Sequence, residues 1–126
     1  MSFIEQWLHD AVPALVGSEW RKGQQSFAVD NPATGETIAR VADMGADDTR
    51  DAVAAAYNAG AAWRTTPVKQ RSALLRRWFE LIIEHADDLA RLMTLEQGKP
   101  LAEAKGEVTY GASFIEFFAE EAKRMA

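Results

Sequence analysis

Few residues in this 126-residue sequence are able to carry chemistry, and their spacing narrows what that chemistry can be. Glu103 and Glu107 are four apart, as are Glu116 and Glu120, so each pair shares a helix face on which two carboxylates could trade a proton or hold a cation. No histidine or third carboxylate converges on either pair in sequence. Lys99, Lys105, Lys123 and Arg124 stand close by, so a solvated and partly balanced face is the plainer reading. His9 and His85 are the only histidines, and neither belongs to an H-x-x-x-H or H-E-x-x-H pattern. Gly98-Lys99 is not a phosphate loop, because position 93, where the first glycine of that loop belongs, is Met93. The eight glycines include no G-x-G-x-x-G, and there is no cysteine, which removes disulfides, thiolate metal sites and thiolate nucleophiles together.

Composition narrows the partners. A net charge of -5 with basic residues interleaved among acidic ones offers no stripe to neutralise a phosphate backbone, so no nucleic-acid partner is expected. No apolar run approaches the roughly 20 residues that span a bilayer, and Glu5, His9 and Asp10 break any signal-peptide pattern, so no membrane partner and a cytoplasmic location are expected. With 48% hydrophobic and 26% charged residues the chain has the makeup of a folded domain rather than of disorder, and its length suits one core.

The elements that must position these residues follow from period and punctuation. Ser2-Phe3-Ile4-Glu5 has the spacing of a capping box and opens a short helix that ends near Pro13. Ala14-Leu15-Val16 and Trp20-Arg21 flank Gly17-Ser18-Glu19 as a small hairpin. Ser26 to Val29 and Thr37 to Val41 flank the turn formers Asn31-Pro32-Ala33-Thr34-Gly35 as a second one. Both are expected to be antiparallel. From Ala46 the period changes to 3.6, giving an alanine-rich helix to about Ala62 that Asp47, Asp48 and Asp51 favour at its start, with Val53, Tyr57 and Trp63 expected to supply its burial. Thr66-Pro67 opens a helix whose apolar face is Leu74, Leu75, Trp78, Leu81 and Ile82. A break at His85 and Ala86 precedes another helix, which Gly98 and Pro100 end.

The last helix, from near Pro100, carries two apolar stripes. Leu101, Ala104, Val108, Ala112, Ile115, Ala119 and Ala122 form a small, aliphatic one, and Tyr110, Phe114, Phe117 and Phe118 an aromatic one. Two apolar faces need two partners. Either the helix lies in the middle of this chain's own core, or the aromatic stripe faces a ligand channel or a further protein segment.

Four separated patches, in order, resemble the N-terminal region of the NAD(P)-dependent aldehyde dehydrogenases: Val16-Gly17-Ser18-Glu19-Trp20, Asn31-Pro32-Ala33-Thr34-Gly35-Glu36, the alanine-rich helix ending in Ala62-Trp63-Arg64, and Leu92 to Glu107. Within that family Met44-Gly45-Ala46-Asp47, Arg91 to Ala104 and Ser113 to Glu121 look most like the succinate-semialdehyde dehydrogenase branch. The resemblance implies the N-terminal part of an α/β, aldehyde-dehydrogenase-like fold. In this chain that part is mostly helical, with four to five helices and small antiparallel β hairpins. Residues 1–126 would belong to the cofactor-binding domain, ahead of its nucleotide-binding turns and of the catalytic domain. In the full-length enzyme a cysteine thiolate attacks the aldehyde, hydride passes to NAD or NADP, and water hydrolyses the thioester. The residues doing this follow the point matching Ala126, so no catalytic, cofactor-binding or metal residue is assigned here, and the chain alone is expected to bind no cofactor and to be inactive.

One part of the site is implied to remain. The family's helix matching Gly106 to Phe118 lines the tunnel by which the aldehyde reaches the nucleophile, which makes Glu107, Tyr110, Phe114 and Phe117 the candidate channel walls. Position 117 is often tryptophan in the relatives and is Phe117 here. Some members hold a structural cation near residues matching Val29 and Glu96, with a further ligand beyond Ala126. Expected partners are the remainder of the same enzyme, or a second copy of this chain on apolar faces left uncovered, with a small aldehyde as substrate of the full-length form. The alternative is a self-contained, non-catalytic helical assembly module derived from the same family. An unrelated helical domain would require four ordered matches by coincidence.

Overall fold

The computed structural model describes residues 11–124, so the helix expected over Ser2 to Pro13, together with His9, lies essentially outside the described residues. The chain divides after Arg64 into two compact units.

The first unit is built on turns. Strand β1 (Ala11–Val12), the hairpin β2 (Ala14–Val16) and β3 (Glu19–Arg21), and the longer pair β4 (Gln25–Asp30) and β5 (Thr37–Asp43) precede helix α1 (Ala46–Thr65). Gly17, at φ 63°, makes the tight β2–β3 turn that sets Val16 opposite Glu19. In the β4–β5 turn the Asn31 side-chain oxygen accepts the Ala33 N–H at 2.9 Å, and the Asn31 carbonyl accepts that of Gly35 at 2.7 Å. Gly35 takes φ 73°, so the turn chemistry read from Asn31 to Gly35 is what closes this hairpin. Both hairpins are antiparallel as expected. The three-stranded order β1-β5-β4 adds a parallel pairing of Ala11 and Val12 with Arg40 and Val41. Two residues are too few to show a period, and Pro13 beside them reads in sequence as a helix end.

Helix α1 departs from its expected role. Val53 is 65% exposed, Tyr57 82% and Trp63 42%, and no residue of α1 is buried. Among the described residues Arg21 ties it to the β region, with a hydrogen bond to Asp51 at 2.7 Å and an ion pair to Asp48 at 4.0 Å, and a side chain added at Gly17 would meet the Ala55 methyl. That hydrogen bond, together with the attraction of Asp51, Glu19 and Asp48, raises the Arg21 guanidinium above its ordinary pKa.

The second unit is three helices: α2 (Val68–Glu84), α3 (Ala86–Gln97) and α4 (Leu101–Glu121). With α1 they are the four helices of the described residues, within the expected four to five. Proline stands at the N-cap of α2 and of α4, and Gly98 closes α3 at φ 79°, its N–H donated to the Thr94 carbonyl at 2.8 Å. Helix α4 packs against both α2 and α3. Ala90 and Ala104 are completely buried with Val108 nearly so, and Ile82, Ala86, Leu89 and Met93 close around them. Methyl side chains on both helices permit the close approach that brings the flanking larger residues into contact. Helix α2 sits about one position round from the expected apolar face. Ser72, Leu75, Phe79 and Ile82 are its shielded side, while Leu74, Trp78 and Leu81 stay exposed. The sequence signal favoured the bulkier run. A buried serine is what a tightly approaching helix selects, and only the packed structure shows it.

Candidate functional site

Helix α4 carries every candidate site residue, and its start is fixed by the punctuation before it. The left-handed turn at Gly98 and the extended Pro100, at φ -57° and ψ 138°, hold Lys99 between them and launch 21 residues of helix. Most of the small stripe is shielded, with Ala104, Val108, Ala112 and Ala119 buried and Ile115 and Ala122 half-buried, whereas Leu101 at its start is exposed. The aromatic stripe does not enter the core. Tyr110, Phe114, Phe117 and Phe118 are exposed, on a face turned roughly 140° from the buried one at 100° per residue. Of the two readings open for this helix, burial of both stripes in one core is not found among the described residues.

Glu107, Tyr110, Phe114 and Phe117 share the outward face along roughly 15 Å of helix. Tyr110 and Phe114 meet edge to face at 4.9 Å between centroids and 80°, and Phe117 meets Phe118 at 5.3 Å and 82°. Such geometry fixes ring orientation without burying the rings. At the N-terminal end Glu107 is ion-paired to Lys99. Glu107 also lines a groove of about 570 Å³ between the helices of this unit, whose other walls include Ile82, Leu89, Met93, Val108 and Ile115. Apart from Glu96, that groove has no other charged lining residue.

Of the other candidate carboxylates, Glu116 and Glu120 form ion pairs. Glu116 accepts a hydrogen bond from Arg76 of α2 at 2.6 Å, Glu120 pairs with Lys123 at 3.0 Å, and Lys105 reaches Asp87 of α3 at 2.7 Å. The Arg76–Glu116 link was not legible in sequence, since its partners are 40 residues apart. Among the described residues no cluster of three or more His, Asp or Glu is placed to hold a metal, and no helix is long and apolar enough to cross a membrane.

The turn from strand β5 into helix α1 does not suit the phosphate of a dinucleotide. Where strand β5 turns into helix α1, the position at which such folds bind phosphate, Asp47 and Asp48 occupy the first helical turn. The Gly45 N–H is already donated to the Asp48 carboxylate at 3.2 Å. An anion is thus both repelled and displaced.

Comparison with known proteins agrees with this geometry. The family described as "Aldehyde dehydrogenase family" matches residues 20–126. The NADP(+) succinate-semialdehyde dehydrogenase of Escherichia coli K12 is 58% identical over 114 residues, covering 89% of this chain and 24% of that protein. A glutarate-semialdehyde dehydrogenase of Pseudomonas putida is 61% identical over 114 residues, with the same coverage of 89% and 24%. The crystal structure of an NADP-dependent enzyme from E. coli superposes with a TM-score of 0.91 at 51% identity, covering 100% of this chain and 26% of that one. Succinate-semialdehyde dehydrogenase from Burkholderia pseudomallei follows with a TM-score of 0.89 at 50% identity, covering 99% and 26%. The chain therefore spans about a quarter of the length of these relatives. With most of its length matched and its fold shared with them, the chain belongs to the aldehyde dehydrogenase family.

Proposed function

We propose that this chain forms the N-terminal quarter of an NAD(P)-dependent aldehyde dehydrogenase, that it supplies one wall of the substrate channel, and that it does not turn over substrate by itself. The observation that carries this reading is a family match over residues 20–126 in a sequence without cysteine. Thioester chemistry needs a thiolate that these residues do not contain. Both relatives named above act on semialdehydes whose other end is a carboxylate, so the substrate class is a short aldehyde bearing a carboxylate.

In the intact enzyme NAD or NADP, bound by other residues of the cofactor-binding domain to which this chain contributes, accepts the hydride. This chain's part is positional. The rings of Tyr110, Phe114 and Phe117 cover the aliphatic stretch of the substrate and exclude water from its path, and Glu107 marks the charged end of that wall. The exposed aromatic face, which has no partner among the other elements of its unit, supports this assignment. The partner is the remainder of the same enzyme, with self-association in its absence.

The test is a steady-state assay of nicotinamide reduction with succinic semialdehyde, run on the protein that joins this chain to the remainder of the enzyme and on residues 1–126 alone. Turnover by the joined protein and none by the chain is expected. Turnover by the chain alone, or none by the joined protein, would overturn the proposal.

A further inference from the structure

We propose that Lys99 is a positioning residue that masks the charge of Glu107 and so admits a carboxylate-bearing aldehyde past this wall, a role that rests on the channel reading above. The backbone holds Lys99 on both sides, with left-handed Gly98 before it and extended Pro100 after it. Its side chain is only 16% exposed although it ends in an ammonium, whereas its partner Glu107 is 55% exposed. Most of the pairs on these helices have both members exposed to similar degrees, as Lys123–Glu120 does at 53% and 52%. The asymmetry of Lys99–Glu107 is that of a cation laid along the protein to reach a fixed carboxylate.

The charge balance gives the pair its consequence. Glu107 is the only charged group among the four wall residues, and two further carboxylates, Glu96 lining the same groove and Glu103 one turn earlier on α4, have the same sign. Once this face lines the channel of the intact enzyme, where screening by water is reduced, an unmasked Glu107 repels an approaching carboxylate. Paired with Lys99, it presents a nearly neutral end to the wall. Lys99 thus discriminates between anionic and neutral aldehydes without touching either.

The experiment uses the intact enzyme and two aldehydes of equal carbon count, succinic semialdehyde and uncharged butyraldehyde. Lys99→Met is expected to raise KM for succinic semialdehyde about tenfold, the scale of one partly screened charge contact, and to leave KM for butyraldehyde within about twofold. Lys99→Arg and the double variant Lys99→Met with Glu107→Gln should both restore the wild-type ratio. Glu107→Gln alone leaves an unpaired ammonium at the wall and should lower KM for succinic semialdehyde by about threefold, so an outcome of opposite sign is available even if Lys99→Met fails to fold. Equal changes for both aldehydes, no change for either, or a rise in KM for succinic semialdehyde in Glu107→Gln would overturn the inference while leaving the proposed function standing. A wild-type enzyme that oxidises neither aldehyde would overturn both.

Discussion

Replacing Val108 by alanine while comparing Thr109→Ala on the next residue separates core packing from helix propensity on one helix. Val108 is 8% exposed and lies against the Ala90–Ala104 contact, whereas Thr109 is exposed and its hydroxyl donates to the Lys105 carbonyl at 3.0 Å. Removing two buried carbons from Val108 costs about 1.6 kcal/mol in transfer energy, and an incompletely collapsed void adds about 0.5–1 kcal/mol. Alanine returns about 0.6 kcal/mol in helix propensity at either site. The net loss for Val108→Ala is therefore about 1.5–2 kcal/mol. Thr109→Ala gains the same propensity and loses only a back-bond that stabilises helices little, so it should be neutral or stabilising by up to about 0.5 kcal/mol. Thermal unfolding followed by far-ultraviolet circular dichroism reads the difference. For a unit of this size Val108→Ala should lower the midpoint by roughly 6–16 °C and Thr109→Ala should leave it unchanged or slightly raised. Equal shifts for the two variants would refute the packing of α4 through its small stripe.

Other consequences are as direct. Ala104→Leu, at a site with no exposed surface, should destabilise the helical unit by about 1–3 kcal/mol in urea titrations, because α3 leaves no room for the added carbons. Gly98→Ala places a side chain at φ 79° and should cost about 1 kcal/mol in the same measurement. A Cβ at Gly106 meets nothing within 4 Å, so Gly106→Ala should raise stability by roughly 0.5–1 kcal/mol. The uncovered faces of α1 and α4 should make the isolated chain self-associate in analytical ultracentrifugation, and a compact monomer at high concentration would count against that.

Turns and helix ends were the most legible parts of this fold, because their chemistry is local. Asn31 to Gly35, Gly17 and Gly98 each specify a backbone conformation that neighbouring residues cannot change, and the structure places them as their sequence requires. The faces were less legible. Val53, Tyr57 and Trp63 have the composition of a buried face and yet are exposed, and Ser72 has that of a surface residue and yet is buried. Periodicity reports that an apolar face exists, not which neighbour covers it. For the candidate wall, the sequence placed Glu107, Tyr110, Phe114 and Phe117 on one face of a helix. The Lys99–Glu107 pair, joined across the start of α4, depended on a loop geometry that only the coordinates define.

In the proposed role the aromatic face of α4 meets the substrate rather than a packing partner. The most direct test is a crystal structure of the intact enzyme with succinic semialdehyde or its carboxylate product bound. Van der Waals contact is expected between the bound molecule and the rings of Phe114 and Phe117, with Glu107 still paired to Lys99. Burial of Tyr110, Phe114 and Phe117 beneath other protein segments, with the ligand elsewhere, would contradict it.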